Sequence, residues 1–183
     1  GADLLPSTGS DKFTVTSRVL TVTPTSGPRG TKVLVTGTKF TGSGTIAANA
    51  VTVDGKATVH TVANLTSSGD VPGISFPIPS DAGIGSKTIS AADNAETPLV
   101  GTTKFTITVP TITVGLASAT MGQSVPITGS GWVPSTSVTI TLAAAGVDVA
   151  TKVATTDGAG GIDTSMTIPS TVGVGSQTVT FTA

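Results

Sequence analysis

Residues 104–132 of the chain read KFTITVPTITVGLASATMGQSVPITGSGW, and residues 12–40 read KFTVTSRVLTVTPTSGPRGTKVLVTGTKF. The two stretches align without a gap at an offset of 92 residues, with 11 of 29 columns identical. A second block, IPSDAGIGSKTISAAD at 78–93, aligns with IPSTVGVGSQTVTFTA at 168–183 at an offset of 90, with 7 of 16 columns identical. Two blocks in the same order at nearly one offset indicate two copies of one unit of about 90 residues.

Each unit reads as a series of short segments in which apolar and polar residues alternate, with Gly, Pro, Asp or Ser between them. In the first unit these segments are VLTVT, KVLVTG, AVTVDG, ATVHTV, GISFPI and KTISAA. Asp54 and Gly55 form a two-residue hairpin signal, because a type I′ turn requires positive φ at both positions. No segment has the period of an amphipathic helix. The pattern predicts an all-β fold of two tandem immunoglobulin-like β-sandwich domains.

The stretch VTPTSGPRGTKVLVTGTKFTGSG at 22–44, followed by AVTVDGKATV, resembles the IPT/TIG-like immunoglobulin modules of prokaryotic secreted and cell-surface proteins. Those modules show a P-x-S-G-P-x-G turn, a V-x-V-x-G strand, an aromatic residue and a later V-x-V-x-G hairpin. The second unit keeps Gly122, Gly129 and Trp132 and resembles the family more loosely. The resemblance implies the fold and leaves the function open, since such modules serve as spacers, adhesins and polymer subunits. The matching positions of the first unit are Pro24, Gly27, Pro28, Gly30, Gly37, Phe40 and Gly55.

The composition excludes several classes of function. The net charge is −1 and charged residues make up 10% of the chain, so there is no basic surface for nucleic-acid phosphates and no polybasic anchor for an anionic membrane. No apolar stretch approaches the ~20 residues of a membrane span. The absence of cysteine excludes disulfides and thiolate metal sites. A chain beginning at Gly1 is compatible with removal of an export signal or with trimming, and we expect an extracellular or cell-surface location.

Residues with catalytic or metal-binding potential are scarce. His60 is the sole histidine and Glu96 the sole glutamate, and neither has a local partner for acid–base chemistry. TTDGAGGID at 155–163 has two aspartates six residues apart around glycines. Two carboxylates supply too few oxygen ligands for calcium, and the pattern is typical of a hairpin loop. We therefore predict no enzyme activity, no cofactor, and no catalytic, cofactor-binding or metal-binding residue.

Two further features concern aromatic residues and glycans. Phe40 and Trp132 occupy one column of the repeat, and we predict that both are core aromatics rather than a platform for stacking sugars. Asn64, Leu65 and Thr66 form an N-glycosylation sequon, which makes Asn64 a possible glycan attachment site in an exported protein.

The N-terminal segment repeats the last strand of the first unit. Extending the 92-residue offset to the left places Gly9 on Gly101, and KFTVT at 12–16 on KFTIT at 104–108. KFTIT closes the first unit, whereas the sequence of the second unit stops before an equivalent strand. We therefore predict that residues 1–17 hold a donor strand that completes the second unit of another copy, with alternate side chains facing its core. The predicted strand residues are Lys12, Phe13, Thr14, Val15 and Thr16.

A sandwich without its last strand has an unpaired edge and an apolar groove that a strand from another chain can fill. The predicted domains are the donor strand at 1–17, a first immunoglobulin-like domain at 18–108, and a second at 109–183 that lacks its last strand. The predicted acceptor groove consists of Met121, Val125, Ile127, Thr178, Val179 and Phe181.

Head-to-tail donation that does not close on itself produces a filament. The predicted function is the structural subunit of an extracellular filament of the pilus or thread type, with other copies of itself as partners. The alternative is a spacer or adhesive pair of immunoglobulin-like modules cut from a larger cell-surface or S-layer protein, in which residues 1–17 are the remainder of a preceding module.

Overall fold

The computed structural model describes residues 17–95 and 100–182, and the predicted donor strand lies outside these residues. The described residues form sixteen β-strands and contain no helix. In particular, they include no helix long and apolar enough to cross a membrane. The prediction of an all-β chain is confirmed.

The first unit contains ten strands in three sheets. One sheet has the antiparallel order β1-β3-β8, a second has the order β2-β10-β9-β5-β6, and β4 pairs with β7. The strands are β1 (Val19–Thr23), β2 (Ser26–Gly27), β3 (Lys32–Thr38), β4 (Thr45–Ile46), β5 (Val51–Val53), β6 (Lys56–Ala57), β7 (Ala63–Asn64), β8 (Val71–Pro77), β9 (Gly85–Ala92) and β10 (Val100–Ile107).

The two larger sheets of the first unit share one apolar core. Every second residue along β1 and β3 is buried, and the buried residues of β9 and β10 also lie two or four positions apart, as expected for strands with one face on a core. Val33 and Val35 of β3 and Ile89, Phe105 and Ile107 of the second sheet belong to a single cluster of buried side chains. The two sheets therefore pack with their buried faces toward each other.

The second unit contains six strands in two sheets. These sheets have the antiparallel orders β11-β12-β15 and β14-β13-β16. Its buried cluster is smaller and is formed by Ile127, Ile140, Leu142, Met166 and Val172. The strands are β11 (Thr111–Val114), β12 (Ser124–Ser130), β13 (Ser137–Ala144), β14 (Val147–Thr155), β15 (Ile162–Thr167) and β16 (Thr178–Thr182).

The sequence repeat is matched by repeated backbone geometry. Gly30 and Gly122 both have a φ of 79°, and their N–H groups donate to the carbonyls of Ile78 and Ile168, each over 2.8 Å. These four residues occupy two pairs of aligned columns, so the turn before β3 recurs before β12. The predicted domain boundaries, however, stay a prediction.

Two local predictions have different outcomes. Asp54 and Gly55 have φ values of 48° and 80° and join β5 to β6, which confirms the predicted hairpin turn. His60, by contrast, was expected within a strand but lies in the irregular segment after β6, where its Nδ1 is 2.8 Å from the carbonyl of Thr61. The strand ends at Ala57 because only two residues of β6 pair with β5.

The loop at 155–163 also differs from the sequence prediction. It joins β14 to β15, and these strands belong to different sheets. The loop is therefore a crossover between sheets rather than a hairpin. A local turn pattern indicates that the chain reverses and does not indicate which sheet the next strand joins.

Candidate functional site

Strand β10 closes the first unit. It pairs antiparallel with β9 along its whole length, with Phe105 opposite Lys87 and Ile107 opposite Gly85, and its end pairs parallel with β2. Phe105 and Ile107 are fully buried. The KFTIT motif therefore inserts two side chains into the core while its polar residues alternate outward.

Strand β10 also covers neighbouring side chains of the other sheet. It packs against β1, whose Leu20 and Val22 are only 6% and 2% exposed. A Cβ atom built on Gly101 would lie 2.7 Å from Cζ of Phe40 and 3.5 Å from Cβ of Leu20. Glycine at 101 thus lets β10 approach the Phe40 ring, because any larger residue would collide with it.

The strand of the second unit that aligns with β9 is β16. It pairs with β13, from Thr178 opposite Ala143 to Thr182 opposite Thr139. Within residues 17–95 and 100–182, no strand pairs with the other edge of β16. The position that β10 occupies in the first unit is thus not filled by any described residue of the second.

The second-unit residues that align with side chains beside β10 are exposed or half-buried. Ile112 and Val114 of β11 occupy the columns of Leu20 and Val22, and each is 38% exposed. Trp132, in the column of Phe40, is half-buried, and its Nε1 donates to the carbonyl of Thr111 over 3.3 Å. We call the surface formed by Ile112, Val114, Trp132 and the outer edge of β16 the open edge.

The structure distributes the predicted acceptor residues over both sheets of the second unit. Val125 and Ile127 lie on the buried face of β12, whereas Met121 lies in the turn before that strand and is 51% exposed. The remaining three, Thr178, Val179 and Phe181, belong to β16. Whether these six residues receive a strand stays a prediction.

The sequence prediction missed three members of the open edge. Ile112, Val114 and Trp132 were not assigned to the acceptor groove. Their signal was nevertheless present, because the repeat aligns them with first-unit residues that contact the last strand. Finding it required knowing that β1 packs against β10, and this is a contact across two sheets.

Polar groups elsewhere form local structural contacts. Among the residues that the structure describes, no three His, Asp or Glu side chains are placed to hold a metal ion. Asn64 of the predicted sequon is exposed at the end of β7. The Asp157 carboxylate accepts hydrogen bonds from the N–H groups of Gly161 and Ala159 at 2.7 and 2.8 Å. These bonds, with that of Gly161 the strongest influence, hold the pKa of Asp157 below its usual value.

We expect Asp157→Asn to lower the stability of the protein at neutral pH and to have a smaller effect in acid. A carboxyl group whose pKa is lowered by folding stabilises the fold above its unfolded pKa of about 3.9, and this contribution disappears as the pH falls through the folded pKa. Urea unfolding at several pH values measures the difference. The charge-matched control is Asp163→Asn, an exposed residue of the adjoining strand β15. A constant difference between Asp157→Asn and the unmodified chain at all pH values would contradict this prediction.

Comparisons with known proteins give little further information. No family model matches the chain, and no curated protein matches it. Among solved structures, the chain is similar to the crystal structure of a tetra-tandem repeat in the extending region of a large adhesion protein, with 16% identity and a TM-score of 0.36. The likeness covers 89% of this chain and 44% of that one, so the chain spans less than half of that structure. Similarity at this level assigns neither fold nor function.

Proposed function

We propose that the chain is a structural pair of modules in an extracellular or cell-surface tandem-repeat assembly, and that a strand of the KFTIT type completes its open edge. The observation that carries this proposal is the difference between two copies of one unit. Leu20 and Val22 belong to β1, which packs against β10, and are buried, whereas Ile112 and Val114 in the same columns are exposed. An unpaired edge with apolar neighbours is a hazard for a folded protein unless a strand covers it.

The first unit indicates what such a strand contributes. Burial of Phe105 and Ile107 is worth about 1.5–3 kcal/mol each, and each ladder hydrogen bond adds about 1 kcal/mol net. In the second unit, the strand would also cover Ile112 and Val114. These contributions together are large enough to offset the cost of ordering an extended segment and fixing it to a partner.

The first arrangement is donation between copies. Residues 12–16 repeat the pattern of 104–108, with Phe13 and Val15 in the columns of the buried Phe105 and Ile107. Each copy would then offer a strand at one end and an open edge at the other. Since the donor and acceptor surfaces differ, the contact is heterologous and extends into a head-to-tail filament.

The second arrangement is a spacer or adhesive module pair within a longer polypeptide. It is favoured by the way the first unit is closed, because β10 follows β9 directly in the same chain. If a polypeptide continued beyond residue 183, its next segment could close the second unit in the same manner. Residues 1–17 would then close a preceding module.

One experiment tests the open edge and separates the two arrangements. A labelled peptide of residues 1–17 is titrated into a chain lacking those residues, and the intact chain is examined by electron microscopy and analytical ultracentrifugation. We expect one peptide to bind per chain, and we expect the intact chain to form filaments. The control peptide carries Phe13→Asp and Val15→Asp, which place charges where two buried side chains belong, and it should not bind.

The outcomes lead to different conclusions. If the peptide binds and the intact chain remains a monomer, the open edge is a strand acceptor and the second arrangement is favoured. If neither the peptide nor the intact chain associates, the proposal that the open edge is a joint is wrong.

A further inference from the structure

A turn of the first unit lies against two loops of the second unit. The turn is formed by residues 28–30 before β3, and the two loops are the one after Trp132 and the one that joins β14 to β15 and contains Gly160. A Cβ atom built on Gly30 would lie 3.2 Å from Cδ of Pro134 and 3.3 Å from Cγ1 of Val133. A Cβ atom built on Gly160 would lie 3.3 Å from Cγ of Pro28. The turn of the first unit therefore packs directly on both loops of the second unit.

The second unit has the same turn with no such neighbour. Gly122 has the φ of Gly30, and its turn has the equivalent hydrogen bond, from Gln123 N–H to the carbonyl of Thr120 over 3.1 Å. Yet a Cβ atom built on Gly122 would meet nothing within 4 Å. Met121, in the column of Arg29, is 51% exposed. The described residues thus present this turn to solvent.

The first unit has a loop equivalent to the one after Trp132, in which Thr41 and Gly42 occupy the columns of Val133 and Pro134. The preceding aromatic residues make matching backbone hydrogen bonds. The Phe40 N–H donates to the carbonyl of Gly69 over 3.0 Å, and the Trp132 N–H donates to the carbonyl of Gly160 over 3.1 Å. The Thr41 N–H also donates to Oδ2 of Asp93 over 3.0 Å, which fixes the loop. Gly42 is exposed.

The linkers have equal lengths. Three residues, 108–110, separate β10 from β11. Three residues, 16–18, separate Val15 from the start of β1 at Val19. If Val15 binds at the open edge as Ile107 binds in the first unit, three residues separate the inserted strand from β1 of the next copy. The same number separates β10 from β11 within one chain.

We propose that in the filament Met121 and Gly122 of one copy pack against Thr41 and Gly42 of the next copy. Every junction along the filament then repeats the junction within a single chain. This inference rests on donation between copies, the first arrangement of the proposed function. The contact explains why position 121 holds methionine, whose unbranched apolar side chain adapts to a neighbouring surface. The aligned residue of the first unit, Arg29, instead donates a hydrogen bond to the carbonyl of Ala82 in its own unit.

The test uses cysteine pairs, since the native chain has no cysteine. A chain carrying both Thr41→Cys and Met121→Cys is assembled and treated with a short thiol crosslinker. We expect a ladder of covalent oligomers on a denaturing gel. Met121→Cys alone can give nothing larger than a dimer. The pair Arg29→Cys and Val133→Cys, on residues that line one cleft, should crosslink within the chain and give no ladder.

A second variant separates this contact from the strand contact. Thr41→Lys places a charge on the first-unit side of the contact, away from the predicted acceptor groove of the second unit. It should raise the concentration needed for assembly roughly tenfold, equivalent to about 1.4 kcal/mol, and should leave binding of the 1–17 peptide to the truncated chain unchanged. Filaments without a ladder, together with unchanged assembly of Thr41→Lys, would overturn the inference and leave the proposed function intact. If the peptide does not bind and no filament forms, both fail.

Discussion

Replacing Gly9 with valine should weaken binding of the 1–17 peptide to the open edge roughly tenfold to a hundredfold. Gly9 aligns with Gly101, where a Cβ atom would lie 2.7 Å from the ring of Phe40. In the second unit the larger Trp132 stands in the column of Phe40. Added atoms at this position would force the strand away from the indole, and overpacking of this kind costs about 1–3 kcal/mol. Titration of the two peptides into the chain lacking residues 1–17 measures the loss.

Two comparisons make this prediction specific. Ser10→Val adds side-chain volume at the next position, whose counterpart Thr102 is exposed on β10, and this peptide should bind nearly as well as the native one. Shortening the receiving side chain with Trp132→Ala should restore part of the binding of the Gly9→Val peptide, since the predicted register brings the two positions into contact. Equal binding of the native and Gly9→Val peptides would mean that the incoming strand takes another register.

Replacing Phe105 with alanine should lower the free energy of unfolding of the first unit by about 3–5 kcal/mol. Phe105 is fully buried in the cluster that joins the two larger sheets, so its removal leaves a cavity between them. Urea unfolding followed by circular dichroism measures the change, and the transition of the first unit should move to lower urea concentration.

The matched control for Phe105→Ala lies in the same strand. Thr102→Ala changes an exposed residue of β10 and should shift the free energy of unfolding by less than about 0.5 kcal/mol. A small effect of Phe105→Ala would show that closure of the first unit does not depend on the buried face of β10. It would also weaken the case that an equivalent strand stabilises the second unit.

The sequence predicted the regular strands of the first unit closely. VLTVT coincides with β1, and KVLVTG and KTISAA fall within β3 and β9, because alternation of apolar and polar residues directly records which face is buried. The two-residue strands β2, β4 and β7 were not predicted. Pairs of this length have no periodicity, and they exist only because distant segments come alongside them.

The candidate site was only partly predictable for a related reason. Of the residues predicted for the acceptor groove, Val125 and Ile127 lie on the buried face of β12, and Thr178, Val179 and Phe181 belong to β16. The exposure of Ile112 and Val114 could not be read locally, because TITV alternates in the same way as VLTV. The two strands differ in burial because β1 packs against β10, which lies far from it in the sequence. The described residues of the second unit include no strand equivalent to β10.

The parallel pairing of β2 with β10 determines how the first unit carries tension. The Thr106 N–H donates to the carbonyl of Thr25 over 2.9 Å, and the Thr108 N–H donates to the carbonyl of Gly27 over 3.0 Å. A pull applied between the chain entering at β1 and the chain leaving after β10 drags these parallel segments past each other along their length. The load then falls on both hydrogen bonds at once, in shear, rather than on each in turn as when a zipper opens. The module resists stretching at the place where the chain leaves it.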